Sequence, residues 1–173
     1  LVAVVMLESC NPVEKPESMS QDPHSFSTPS AARVTHLRWK AVVDFDDRVI
    51  QATATWEIES AKDTDIIILD TKGLVIRKVT LDENIPTEFR LSDPDSLLGQ
   101  ALAIMIQPGT KQINIDYQTT PEAEALQWLA PQQTAGKQHP FLFTQSQAIL
   151  ARSWVPCQDT PGVRFTYEAK VTV

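Results

Sequence analysis

Glycine is scarce in this chain, five residues in 173. That excludes a Gly-rich phosphate cradle, in which the backbone must approach its ligand closely at several glycines. The nearest candidate, Asp70-Thr71-Lys72-Gly73, reads as a turn between two apolar runs. Cysteine is scarcer still: Cys10 and Cys157 stand far apart and make no disulfide framework. The three histidines, His24, His36 and His139, are scattered, and no Cys or His pair has zinc-knuckle spacing. Positive charge is also short, with 15 Lys and Arg against 22 Asp and Glu, a net charge of −7. With no basic run anywhere, a nucleic-acid partner and a polybasic membrane patch are both excluded.

What is present suits one folded domain with a tail. Residues 1–10 open with an apolar run, Leu-Val-Ala-Val-Val-Met-Leu, followed by Glu8-Ser9-Cys10. The run is too short to span a bilayer. It has the look of the end of a bacterial lipoprotein signal whose basic beginning is missing, with Cys10 as the lipidated residue. Glu8 is unusual in such a box, and a frayed or buried start is the plain alternative. Residues 11–31, rich in Pro, Ser and acidic residues, carry no periodicity and are expected to be a disordered tether.

From residue 32 to 173 the pattern is that of a β domain. Leu37, Trp39, Ala41, Val43 and Phe45 alternate with polar residues, and Ile50, Ala52, Ala54, Trp56 and Ile58 do so after an Asp46-Asp47 turn. Period-two patterning on both sides of a short turn predicts a hairpin with one buried face. Short apolar stretches at 66–69, 74–81, 88–91, 101–106 and 112–119 follow, with turn signals at Asp93-Pro94, Pro108-Gly109 and Thr120-Pro121. Alternation returns from Val163 to Val173 and stops there without a turn or cap, which suggests truncation at a C-terminal edge. No helical period persists over three turns. The expected fold is all-β, an antiparallel saddle-shaped sheet or sandwich.

Longer strings are more specific. Ala125-Leu126-Gln127-Trp128-Leu129 leads to Gln133-Thr134, Gly136-Lys137 and His139-Pro140-Phe141-Leu142-Phe143. Then come Gln145-Ser146-Gln147-Ala148 and Pro156-Cys157-Gln158-Asp159-Thr160-Pro161. In this order they resemble the N-terminal domain of the leukotriene A4 hydrolase-like zinc aminopeptidases, a gluzincin metallopeptidase family. The resemblance runs from about residue 31 to residue 173. It implies a β-rich domain packed on a separate catalytic domain. There, zinc is held by the histidines of H-E-x-x-H and a downstream glutamate, and G-x-M-E-N helps bind the substrate amine. Neither motif occurs in this sequence, so the chain alone is expected to hold no zinc ligand and to be inactive. The intact parent is expected to use zinc to remove N-terminal residues from peptides, with the peptide and its own catalytic domain as partners.

One substrate-binding element is implied here. In the family the Q-x-Q-A segment edges into the cleft, which assigns Gln147 to the peptide amine, with Gln145 and the Ala148 backbone beside it. An amide oxygen offers the ammonium an acceptor without the cost of burying another carboxylate. Read without the family, these glutamines are solvent-facing strand positions. A Cys157, His139 and Asp159 triad has the right residue types, but Cys157 lies in the 156–161 loop, which the resemblance implies is structural, and Asp159 reads as a turn cap. Trp39 and Trp56 are expected in the core, Trp128 and Trp154 stay open, and His36 is expected on an exposed face. A lipidated Cys10 implies the periplasmic side of a bacterial envelope, with the cytoplasm as the alternative. The rival function is a non-enzymatic envelope lipoprotein whose β domain binds a ligand or protein.

Overall fold

Residues 22–173 are described by the computed structural model of the chain. Cys10 and the first part of the expected tether lie outside them. Eleven strands and two single turns of 3-10 helix, Pro131–Gln133 and Ala151–Ser153, account for the regular structure among the described residues, with no α-helix. The strands are β1 (Ala32–Asp44), β2 (Val49–Ser60), β3 (Ile66–Thr71), β4 (Val75–Leu81), β5 (Ile85–Pro86) and β6 (Phe89–Leu91). They continue as β7 (Gln100–Met105), β8 (Gln112–Gln118), β9 (Leu126–Leu129), β10 (Phe141–Thr144) and β11 (Thr166–Thr172).

The hairpin read from alternation is β1–β2, antiparallel in the register Trp39↔Ala54 and Ala41↔Ala52. It forms the middle of a six-stranded sheet, β11-β1-β2-β8-β4-β5. A three-stranded sheet, β3-β7-β6, and a two-stranded one, β10-β9, complete the fold. Trp39 and Trp56 are buried as expected, together with Ile67, Leu69, Leu102, Ile104, Ile113 and Ile115. Each such aliphatic side chain contributes roughly 1.5–3 kcal/mol relative to exposure, so the core is the shared interior face of the large and three-stranded sheets.

Three expectations need correction. The sheet is not wholly antiparallel, because β11 pairs with β1 in parallel, from His36↔Thr166 to Val42↔Thr172. Hydrophobic alternation carries the face of a strand but not its direction, and the chain returns to the free edge of β1 only after passing through residues 145–165. β11 joins β1 from His36 onward, and Gln158 serves the backbone before that point. Its amide oxygen accepts from Val34 N–H (3.0 Å), and its amide nitrogen donates to the Ala32 carbonyl (2.8 Å). Second, the tether does not extend through 22–31: Ser25 and Ser27 are buried against the body. Third, Asp70 and Thr71 are not a turn but the buried end of β3.

Gly99 shows how tightly the next loop is drawn in. Its φ is +79°, and a Cβ there would sit 2.1 Å from the Thr71 carbonyl oxygen. Only glycine suits both the left-handed backbone and the close approach.

Candidate functional site

β10 ends at Thr144, and the chain then leaves the sheet. Gln145 and Ser146 are irregular, and residues 147–150 form a turn, so the Q-x-Q-A segment is a turn and not the strand expected from its alternation. Several contacts fix this turn. Gln145 N–H donates to the Ala125 carbonyl (2.9 Å) and Leu150 N–H to the Ser146 carbonyl (2.9 Å). The Gln145 amide oxygen accepts from Gln147 N–H (3.0 Å), so Gln145 orders the turn with its side chain. Gln147 and Ala148 are exposed, and the peptide bond between them is cis.

A relay of aromatic side chains ties the turn to the core. The Trp39 indole donates to the Tyr117 hydroxyl (2.8 Å), which donates to the Trp154 carbonyl (2.8 Å). The Trp154 indole in turn donates to Ser146 Oγ (3.1 Å) and meets Trp39 edge-to-face at 5.3 Å. Burial pushes the Tyr117 phenol upward, which keeps it a proton donor. Trp154 therefore supports the glutamine turn. Trp128 is half-buried, edge-on to Phe45 at 5.5 Å.

Beneath the turn lies a buried charge cluster absent from the reading of the sequence. Arg152 and Asp70 are both fully buried. The guanidinium donates from Nε to Asp159 Oδ2 (3.1 Å), from Nη1 to the Leu98 carbonyl (2.9 Å), and from Nη2 to the His24 carbonyl (2.8 Å). Nη1 also lies 3.8 Å from Asp70 Oδ1. Asp70 accepts from Ser25 Oγ (2.6 Å), Phe26 N–H (2.7 Å) and Asp159 N–H (2.9 Å). A carboxylate and a guanidinium this deep persist only when nearly every lone pair and proton is used. The signal for Arg152 was available: it is the lone charge in the stretch Ala148-Ile149-Leu150-Ala151-Arg152-Ser153-Trp154-Val155. Nothing local marks Asp70, whose partners come from segments 44 to 89 residues away.

The cysteine triad is not assembled. Cys157 is buried, bridging backbone to backbone with Asp70, while His139 is exposed on the loop between β9 and β10. Burial pushes the Cys157 thiol far up, and the Asp159 and Asp70 carboxylates add to this, so no thiolate nucleophile is available there. Asp159 does not cap its own turn as expected. Its carboxylate binds the backbone N–H and the guanidinium of Arg152. His36 is half-buried, with Nδ1 2.7 Å from Thr166 Oγ1 across the β1–β11 pairing.

The glutamine turn opens onto a cleft of about 1180 Å³. Gln147, Ala148 and Ile149 line it together with the Asp22–Ser30 segment, Leu97 and the Asp159–Gly162 loop. Gln145 is not among the lining residues. Among the described residues, no three His, Cys, Asp or Glu side chains are grouped to hold a metal ion. The residues lining the cleft carry amide, hydroxyl and carboxylate oxygens that a ligand could meet.

Known proteins share this fold. The family model described as the peptidase M1 N-terminal domain matches residues 33–173. Leukotriene A-4 hydrolase of Xenopus laevis is 42% identical over 158 residues, which are 88% of this chain and 26% of that protein. Leucine aminopeptidase 2 of Pyricularia oryzae is 34% identical over 160 residues, again 88% of this chain and 26% of the relative. The structure of yeast LTA4 hydrolase with bestatin superposes with a TM-score of 0.81 at 30% identity, covering 93% of this chain and 25% of that one. An M1 zinc metallopeptidase of Deinococcus radiodurans shares the fold at 16% identity, with a TM-score of 0.60 over 82% of this chain and 32% of that chain. The chain thus spans about a quarter of the length of the curated relatives it matches.

Proposed function

The chain belongs to the peptidase M1 N-terminal domain family, and from that premise we propose that it is the substrate-binding β domain of a zinc-dependent aminopeptidase. The parent removes N-terminal residues from peptides. This chain supplies one side of the cleft, and the zinc and its ligands belong to a separate catalytic part. When bound there, zinc supplies a polarised water for attack on the peptide carbonyl. The residues of this chain bind and orient. Gln147 offers its amide oxygen to the peptide ammonium, Gln145 and the Trp154–Ser146 bond hold the turn, and the Ala148 backbone lies beside it. On its own the chain is inactive.

The observation that carries this reading is the position of Gln147 and Ala148, exposed on a braced turn and facing an open cleft. In the full-length protein, Gln147→Ala lowers kcat/KM for a tripeptide about tenfold, the worth of one hydrogen bond to a charged group. Steady-state kinetics check this, and an unchanged kcat/KM removes Gln147 from the site.

Location belongs to the same proposal. Lipidation at Cys10 and a periplasmic, bacterial setting rest on the Leu1–Cys10 segment alone. The relatives at 30% identity or more named above come from a frog, a fungus and yeast.

A further inference from the structure

The outer face of the six-stranded sheet carries a charge pattern that the peptide cleft does not use. The Arg and Lys residues of β1 are Arg33, Arg38 and Lys40. Arg33 meets Glu59 at 2.6 Å and Arg38 meets Glu57 at 2.7 Å, so β2 neutralises both. Lys40 is placed differently. Its register partner on β2 is Thr53, and its partner on β11 is Lys170. Both lysines are exposed, and neither meets a carboxylate within ion-pair distance among the described residues. Like charges directly opposite on adjacent strands destabilise a sheet.

A third cation joins them. Arg77 is the extra residue of a bulge between Ile76 and Lys78 on β4, and a bulge re-aims the side chain it carries. β4 lies three strands from β1, about 14 Å at the usual spacing. Arg77 nevertheless lines the same pocket as Lys40 and Lys170, with a volume of about 430 Å³. That size falls within the range of small-molecule sites. One carboxylate, Asp116, also lines it, and its Oδ1 accepts from Thr53 Oγ1 at 2.6 Å. Three cations against one carboxylate make a positive concavity on a chain whose net charge is −7. Such a concavity focuses its field on an anion. No basic run marks it in the sequence, because its cations come from positions 40, 77 and 170. None of its lining residues belongs to the cleft of Gln147.

We propose that this pocket binds a small ligand carrying two or three linked phosphates, with Lys40 and Lys170 at one end of the phosphate chain and Arg77 at the other. An anion of a single charge reaches one end and leaves the other without a counter-charge. The Arg77 guanidinium donates to the Gln118 amide oxygen and keeps further N–H donors in a fork that suits phosphate oxygens. Gln51, exposed in the same pocket, offers an amide donor between the two ends. The inference stands apart from the aminopeptidase reading and does not depend on it.

The test is calorimetric titration of the full-length protein with sodium tripolyphosphate, at an ionic strength held constant with sodium chloride. The wild-type protein shows saturable binding. The double variant Lys40→Gln and Lys170→Gln weakens it about tenfold or more, the scale of one lost hydrogen bond to a charged group. Arg77→Gln weakens it likewise. Arg33→Gln removes a cation of the same face that Glu59 already neutralises, and leaves binding unchanged. The double variant has a urea midpoint no lower than the wild type, since it relieves repulsion between exposed lysines, so its lost binding is not lost folding. ATP as a second probe distinguishes two sources of the phosphates. Tighter binding than tripolyphosphate assigns the site to a nucleotide, equal or weaker binding assigns it to a free polyphosphate, and both support it. Absence of saturable binding by the wild type to either probe overturns the inference, as does binding that the double variant and Arg33→Gln change equally.

Discussion

Single residues here divide into those that meet the cleft and those that hold them in place. Gln147 meets it, while Gln145, Ser146, Trp154 and Tyr117 form the chain of bonds behind it. Arg152 holds three segments at once, since its guanidinium joins the strap formed by residues 22–30, the Leu98 loop and Asp159. Arg152→Met preserves length and apolar stem but leaves two carboxylates, Asp70 and Asp159, without their cation. Removing one side of a buried ionic network costs about 3–5 kcal/mol. A shift of the urea midpoint corresponding to that loss, at unchanged slope, is the expected outcome. A midpoint within experimental scatter of the wild type would show that the cluster reorganises around water. Asp159 itself behaves unlike a free aspartate. Burial raises its carboxyl above the usual range, and the Arg152 hydrogen bonds and charge only partly oppose this.

At the scale of elements, the strap carries a pH dependence opposite in sign to that of the cluster beneath it. The His24 N–H and then the Thr160 hydroxyl hold the Asp22 carboxyl below its ordinary value of 3.8. A carboxyl depressed in the fold contributes stability above its unfolded value and loses it as pH falls through the folded one. Asp159 is raised, so its penalty is absent in acid and grows as pH rises through its folded value. Asp22→Asn should therefore be less stable than the wild type near neutral pH, with the gap closing as pH falls below 3.8. Urea unfolding of both proteins along the acid limb checks this, and a gap that persists in acid would assign it to a lost contact other than ionisation. The strap was not legible in the sequence. Ser25 and Ser27 have the composition of a solvated tail, and only Asp70, 45 residues on from Ser25, makes their burial favourable. The β1–β2 hairpin and its buried face were legible because the pairing is local and the inner face apolar, whereas the bulge between Val34 and His36 and the place of Phe45 in the turn were not. The glutamine turn was legible in position but not in shape, since polar alternation after Phe143 mimics a strand that ends at Thr144. What alternation cannot encode is direction and distance, and β11 and Asp70 are the two places where those mattered.

For the molecule as a whole, the large sheet leaves one region of its inner face bare. Along β1, Leu37, Trp39 and Ala41 are buried, yet their register partners on β11, Tyr167, Ala169 and Val171, are exposed, Tyr167 at 73% and Val171 at 51%. Every residue of β11 is exposed, and among the described residues β1 is its only paired neighbour. A strand with one apolar face and one unpaired edge is a template for another strand. At the same time the cleft, the braced turn and the cluster all draw on residues before Val163, so β11 contributes little to them. The two properties are therefore separable. Prepared by itself, the chain should associate with concentration through β11. Val171→Lys should suppress this by placing a charge on the open edge, and it should leave the strap and the glutamine turn as they are. Sedimentation velocity across a concentration series measures the first effect, and hydrogen exchange at the Phe26 and Gln147 amides measures the second. If Val171→Lys associates as strongly as the wild type, contact between copies runs through another surface, of which the exposed Phe141 and Phe143 pair on β10, ring centroids 6.5 Å apart, is the next apolar candidate.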